Sequence, residues 1–372
     1  MKIGSFDFSL RELSGAMGDF GTLLPLAIGY IAVCGLNPAG LLVTMGIANI
    51  VTGIVYRLPM PIEPMKVLAV VAIAQGWSPS LIYASGFGMG LIWIVFALTG
   101  FMSYIAKITP KAVIRGIQVS LGIMLALEAL KMLSNWWILG AISLLIIIIL
   151  RENRYAPAAV VLVLLGIGIM FLRGELTQVA AMGFSIPPLT FFKPLEIWEA
   201  MLLAGFAQIP LTATNAVIST SSLIKTYFPD RQVSEQRLSL NMGLMNLAFP
   251  FFGGMPLCHG AGGLAGQYYF GARTGGANIL EGTLEIIMGV LLATSIAGIF
   301  ALFPLAIIGA MMLMVGFEMV KFARDVPRNW EISVLALTVA ISVLTNMALG
   351  FLLGSLLYYI LLYLLKPDQK QG

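Results

Sequence analysis

Long apolar runs separated by short polar links dominate this chain, and residues 35–56, 81–106, 136–150 and 332–365 each pass without a charge. The runs are continuous rather than alternating, which excludes the strands of a membrane barrel and predicts helices. A helix needs ~20 such residues to cross a bilayer. On that basis fourteen segments are predicted. The first seven lie near 14–34, 38–56, 58–76, 80–106, 111–133, 136–150 and 156–172. A polar, proline-bearing connector over 173–197 follows, and then segments near 198–222, 237–253, 255–271, 277–301, 303–321, 330–346 and 347–366. Two of the fourteen are broken. Pro59, Pro61 and Pro64 interrupt the third, and the glycine-rich stretch from Gly253 to Gly263 interrupts the tenth. Pro61 and Pro256 are 195 positions apart in a chain of 372, close to half. Broken helices at matching places in two halves point to the binding site of a membrane carrier.

Composition sharpens this picture. Apolar residues make up 59% of the chain and charged residues 10%. Soluble domains carry roughly 25% charge, so this chain cannot cover itself with a wetted surface. An all-α polytopic membrane protein is expected, with the lipid bilayer as its partner and no nucleic acid. The N-terminus, residues 1–11, has no apolar core and is not read as a cleaved signal peptide. Cys34 and Cys258 lack metal-ligand spacing and are read as two membrane-buried thiols, so no metal or other cofactor is expected.

Charge placement tests the segment map. With a cytoplasmic N-terminus and fourteen alternating segments, 17 of the 21 basic residues fall on the inner side, Lys131, Arg173 and Lys193 fall outside, and Lys66 lies within a segment. This follows the positive-inside rule and predicts that both termini are cytoplasmic. Seven segments per half place the second half upside down, so residues 1–172 and 198–372 are expected to form an inverted repeat around the 173–197 connector. Pro25 and Pro210, 185 positions apart, agree with that spacing.

The chemistry concentrates at the two breaks. Proline suits a first helical turn, so a half-helix is expected to start at Glu63 or Pro64, continuing through Met65 and Lys66. A second is expected near Gly260, Ala261, Gly262 and Gly263, where glycine lets a backbone approach a ligand. Two helix N-termini meeting near the midplane make an anion site with few basic side chains. Lys66 either neutralises a bound anion or pairs with Glu63 three residues earlier. Asp19 and Glu63 are candidates for proton coupling, Asp19 equally for capping a break in its own helix. His259, the single histidine, suits pH sensing or the holding of the glycine-rich turn. Gln208, Thr212 and Asn215 recur at i, i+4, i+7, either as a hydrogen-bonding wall for an oxyanion or as helix–helix glue. Glu281 and Glu285, and the pairs Glu128–Lys131 and Glu318–Lys321, are read as packing or interfacial charges.

These motifs resemble the molybdate transporter family of plants and microbes, a relative of the SulP sulfate permeases. The likeness lies in Gly18-Asp19-Phe20-Gly21-Thr22, in Pro61-Ile62-Glu63-Pro64-Met65-Lys66, in the run from Cys258 to Gln267, and in Phe270-Gly271-Ala272-Arg273. It implies a seven-plus-seven inverted-repeat fold, as in uracil permease, with a core domain and a gate domain. It also implies an oxyanion held between the third and tenth segments, in contact with Gly21 and Thr22 among the residues above. SulP permeases typically carry a C-terminal STAS domain, and none is expected here, seven residues beyond Leu365. The family often has glutamine where this chain has Glu63.

The expected function is therefore secondary transport of a tetrahedral oxyanion, molybdate before sulfate or tungstate, by alternating access in the plasma (inner) membrane. A proton or other coupling ion and a homodimer through the gate domain are the partners the relationship suggests. A general oxyanion or sulfate permease, a nucleobase permease of the same fold and an anion channel are the alternatives. An enzyme is not expected, because no nucleophile–base motif is present.

Overall fold

The computed structural model describes residues 2–150, 158–178, 183–327 and 329–365. A short antiparallel ribbon, β1 (Lys2–Ile3) and β2 (Phe6–Asp7), leads into α1 (Leu10–Ala16). One 3-10 turn, Met17–Asp19, joins α1 to α2 (Phe20–Ala32). The next helix, α3 (Pro38–Tyr56), starts on an Asn-Pro signal: the Asn37 side chain accepts from Ala39 N at 2.9 Å and Gly40 N at 3.1 Å. The third segment is β3 (Glu63–Pro64) followed by α4 (Lys66–Gln75). Beyond it lie α5 (Pro79–Thr99), α6 (Met102–Ile108), α7 (Lys111–Leu133), α8 (Trp137–Leu150) and α9 (Ala158–Leu172).

In the second half, α10 (Pro194–Ala200), α11 (Phe206–Leu211) and α12 (Thr220–Tyr227) form one rod of 34 residues. Two π-helical stretches, Met201–Gly205 and Thr212–Ser219, widen it on either side of Pro210, whose ring removes a backbone donor. The chain continues through α13 (Glu235–Ala248), β4 (Leu257–Cys258), α14 (Ala261–Phe270), α15 (Gly276–Leu291) and α16 (Ala293–Leu302). It closes with α17 (Leu305–Val320), α18 (Glu331–Leu344) and α19 (Met347–Leu365). Among the described residues, five continuous helices are long and apolar enough to cross a bilayer alone.

The structure is helical as expected but does not reproduce the predicted segments one for one. The run expected over 14–34 is interrupted by the 3-10 turn at Met17–Asp19, and three further differences are informative. The run expected over 80–106 divides at Gly100, whose φ of 68° ends α5. The run expected over 277–301 bends by 81° between α15 and α16. The first half-helix begins at Lys66 rather than Glu63 or Pro64, because those two residues are spent on a strand.

Packing uses glycine where helices touch backbone to backbone, as small residues allow inside a membrane. α3 runs along α15, α5 along α13 and α7 along α17. A Cβ at Gly46 would lie 2.5 Å from Gly282 O, one at Gly122 would lie 2.5 Å from Gly316 O, and one at Gly18 would lie 2.5 Å from Gly266 C. Gly46→Val is therefore expected to force α3 from α15, at about 1–3 kcal/mol of overpacking or more. A fall in melting temperature of the detergent-purified variant checks this, and an unchanged value would show that the helices can separate without cost.

The N-terminal helix is pinned to the far end of α14. The buried Glu12 carboxylate accepts from Arg273 N at 3.0 Å and Thr274 N at 3.1 Å. Burial raises the Glu12 carboxyl above its ordinary value, and these two N–H groups oppose that rise.

Candidate functional site

The two broken segments meet. β3 and β4 pair antiparallel, with Glu63 opposite Cys258 and Pro64 opposite Leu257, and the ladder is extended by Met65 N donating to Pro256 O at 3.0 Å. Because the strands are antiparallel, α4 leaves one end of this ladder and α14 leaves the other. Both helices thus present their N-terminal ends, with their partial positive charge, to the same small region. Proline explains the local structure. Pro59, Pro61 and Pro64 keep the backbone extended, and extended backbone inside a membrane must find strand partners.

Asparagines on neighbouring helices complete that pairing. The Asn278 amide on α15 accepts from Met60 N at 2.9 Å and donates to Met60 O at 2.6 Å. The Asn246 amide on α13 accepts from Leu257 N at 2.9 Å and donates to Leu257 O at 2.6 Å. Each asparagine behaves as a piece of strand set sideways on a helix. Asn278 also donates to Asn49 Oδ1 at 2.8 Å, and Asn49 in turn donates to Glu285 Oε2 at 2.9 Å. Sequence reasoning singled out none of these three asparagines. The available signal was a polar amide inside an otherwise apolar helix, which is costly in lipid and therefore has a task.

The predicted site residues fall into four groups. Pro64, Met65 and Lys66 lie at the start of α4, and His259, Gly260, Ala261, Gly262 and Gly263 at the start of α14, on the two sides of the ladder. Gln208 and Thr212 lie beside α4: Gln208 Oε1 accepts from Val67 N at 2.8 Å, and its Nε2 donates to Thr212 Oγ1 at 2.6 Å. Asn215 sits in the π-helical stretch beyond, whose wider turn carries it off a strict i, i+7 line with Gln208. Asp19 closes the 3-10 turn and Gly21 and Thr22 open α2, but the side chains at these three positions lie outside the described residues.

Charge at the site is arranged around Glu63. Lys66 Nζ lies 3.0 Å from Glu63 Oε2, with the lysine side chain 19% exposed and the glutamate 3%. Of the two sequence readings of Lys66, the i, i+3 pair is present, and it stands at the mouth of the half-helix. His259 is fully buried, and its Nδ1 donates to Pro61 O at 3.2 Å, tying the α14 start to the first break. The Nε2 atom has no hydrogen-bond partner among the described residues. Tyr56 stands edge-on to the imidazole, with ring centroids 6.1 Å apart. Cys34 and Cys258 are free and buried. Glu281 and Glu285 are buried on α15, while Glu128 pairs with Lys131 at 2.9 Å.

Two half-helices joined at a two-residue ladder, among apolar helices long enough to cross a bilayer, give this chain a membrane-protein fold shared with solved anion transporters. The transmembrane domain of the cyanobacterial bicarbonate transporter BicA superposes with a TM-score of 0.63 at 18% identity, covering 94% of this chain and 96% of that one. The murine Slc26a9 anion transporter in its inward-facing state superposes at 0.73 and 12% identity, covering 98% of this chain and 70% of that one.

Sequence relationships give the family. Residues 11–125 and 200–319 match the family described as the molybdate transporter of the MFS superfamily. Molybdate transporter 1 of Arabidopsis thaliana is 32% identical over 93% of this chain and 87% of its own length. Molybdate transporter 2 of that plant is also 32% identical, and molybdate transporter 1 of Chlamydomonas reinhardtii is 27% identical over 92% of this chain. The chain belongs to the molybdate transporter family. It is an integral, multi-pass membrane transporter and not an enzyme.

Proposed function

We propose that this protein carries a tetrahedral oxyanion, molybdate before sulfate or tungstate, across the membrane by alternating access. The observation that carries the reading is the β3–β4 ladder, which gathers two helix N-termini and the Lys66 ammonium into one region. Such ends bind anions through free N–H groups and the helix dipole, and a dianion gains most from both at once. The proposed ligand set is Pro64, Met65, Lys66, Gly260, Ala261, Gly262 and Gly263, with Gly21, Thr22, Gln208, Thr212, Asn215 and His259 around it. The names of the Arabidopsis and Chlamydomonas relatives support molybdate as the anion.

The architecture that goes with this reading is an inverted repeat of seven plus seven segments, residues 1–172 and 198–372, joined by 173–197. The helices next to the ladder form a core domain, and α7, α8, α9, α17, α18 and α19 a gate that rocks against it. Both termini are cytoplasmic in the plasma (inner) membrane, and two copies pair through their gates.

Calorimetric titration of the purified protein with sodium molybdate, with sulfate and uracil as competitors, tests the substrate. Molybdate binding that excess sulfate barely displaces is the expected result. Sulfate binding equally well would make the protein a general oxyanion permease. Uracil binding alone would overturn the anion reading. Saturable, concentrative uptake into proteoliposomes separates a carrier from a channel.

A further inference from the structure

The Glu63 side chain packs against the start of α14. A Cβ placed on Gly260 would come within 2.6 Å of Glu63 Oε2, and a Cβ on Gly263 would overlap Oε1 and lie 2.8 Å from Pro61 Cβ. The absence of side chains at these two glycines is what admits the carboxylate. Gly262, between them, has no atom within 4 Å of its Cβ position, so the helix start is open on that side. At the other half-helix, the Gln208 carbonyl accepts from Val67 N and, more weakly at 3.4 Å, from Leu68 N. A neutral amide oxygen thus accepts from the first N–H groups of α4, while at α14 a charged carboxylate lies against Gly260 and Gly263. The two differ in consequence. An arriving anion can displace a neutral amide by simple exchange, whereas the ionised carboxylate, 3% exposed, repels it and holds the Lys66 ammonium, 3.0 Å away, that would otherwise attract it.

We propose that Glu63 is a tethered carboxylate holding the anion position at the start of α14, and that an oxyanion is admitted only when a proton neutralises it. This deepens the reading of the two half-helix starts as the oxyanion site and rests on it. The step balances simply: one proton from bulk water converts the carboxylate to the acid, the Glu63–Lys66 pair dissolves, and the lysine charge turns to the arriving anion. Anion and proton then travel together. Among the described residues, the titratable and charged groups around Glu63 are Lys66 on its own segment and Cys258 and His259 on the paired strand. Tyr30 on α2 and Tyr56 on α3 stand behind these last two. His259 is the competing proton acceptor that a test must separate.

The experiment is calorimetric titration with sodium molybdate from mildly acidic to mildly alkaline pH, in buffers of different ionisation enthalpy so that protons taken up are counted. The wild-type protein should bind more tightly as pH falls, with net proton uptake. Glu63→Gln keeps the shape and removes the charge. It should bind about tenfold or more tightly than wild type at alkaline pH and take up no proton. Wild-type binding without proton uptake overturns the proposal and leaves the oxyanion site standing. Persisting proton uptake in Glu63→Gln overturns it too, and assigns the proton elsewhere, His259 first. Binding by Glu63→Gln weaker than wild type would mean that the carboxylate assists the anion, which also overturns it. Should Glu63→Gln fail to fold, Glu63→Asp withdraws the charge from Gly263 by one methylene. Tighter binding with proton uptake supports the proposal there, and weaker binding rejects it. Absence of molybdate binding by every form at all pH values fails the site reading itself, and the proposal with it.

Discussion

Gln208→Glu is expected to abolish oxyanion binding in a protein that still folds. The glutamine Oε1 accepts from Val67 N at the start of α4, and a glutamate oxygen can accept the same bond. Thr212, which receives the Nε2 hydrogen at 2.6 Å, carries a hydroxyl that can reverse and donate. A negative charge at a helix N-terminus is itself favourable, so the fold loses little. The binding site loses much more. Two unit charges ~4 Å apart repel by about 4 kcal/mol at an effective dielectric of ~20. That corresponds to roughly a thousandfold in affinity. Calorimetry with molybdate, beside a melting curve of the unliganded variant, separates the two effects. Wild-type affinity in a well-folded Gln208→Glu protein would move the anion away from α4.

Asn246→Leu is expected to produce the largest loss of stability among single changes near the site. Its amide satisfies both backbone groups of Leu257 and also donates to Met242 O at 2.7 Å. Leucine is similar in size and cannot do either. It leaves a buried N–H and a buried C=O without partners, at about 1–3 kcal/mol each. Against a total stability of about 5–15 kcal/mol, that is a large share. The melting temperature in detergent should fall by many degrees, and molybdate binding should weaken because β4 no longer holds the start of α14 in place. An unchanged melting temperature would mean that pairing with β3 alone fixes the second break.

Much of this organisation is legible along the chain. Helix starts at Asn37-Pro38 and Ser78-Pro79 are written as cap residues followed by proline, and α3 and α7 occupy the residues their apolar runs predict. The two breaks are legible for the same reason, since proline and clustered glycine cannot continue a helix anywhere. Lys66 and Glu63 are legible as charges within an apolar segment and as an i, i+3 pair.

Other features depend on partners far away in sequence. Glu63 and Pro64 read locally as a helix start, yet they form a strand because Leu257 and Cys258, nearly two hundred residues on, offer the complementary edge. Gln208 reads as one member of a polar stripe, yet its carbonyl caps a helix 140 positions earlier. Asn246 and Asn278 carry no local signal beyond being polar among apolar neighbours, and their work shows only where Leu257 and Met60 come beside them. The sequence by itself determined that this is a helical membrane protein with two broken segments bearing the charges, because periodicity, proline and charge act locally and lipid punishes exceptions. Only the tertiary structure decided that the breaks zip together, that Glu63 lies against Gly260 and Gly263, and that Gln208 covers the other helix start. A buried hydrogen-bonding group takes whichever partner the packed helices bring within reach, and no spacing along one segment encodes that.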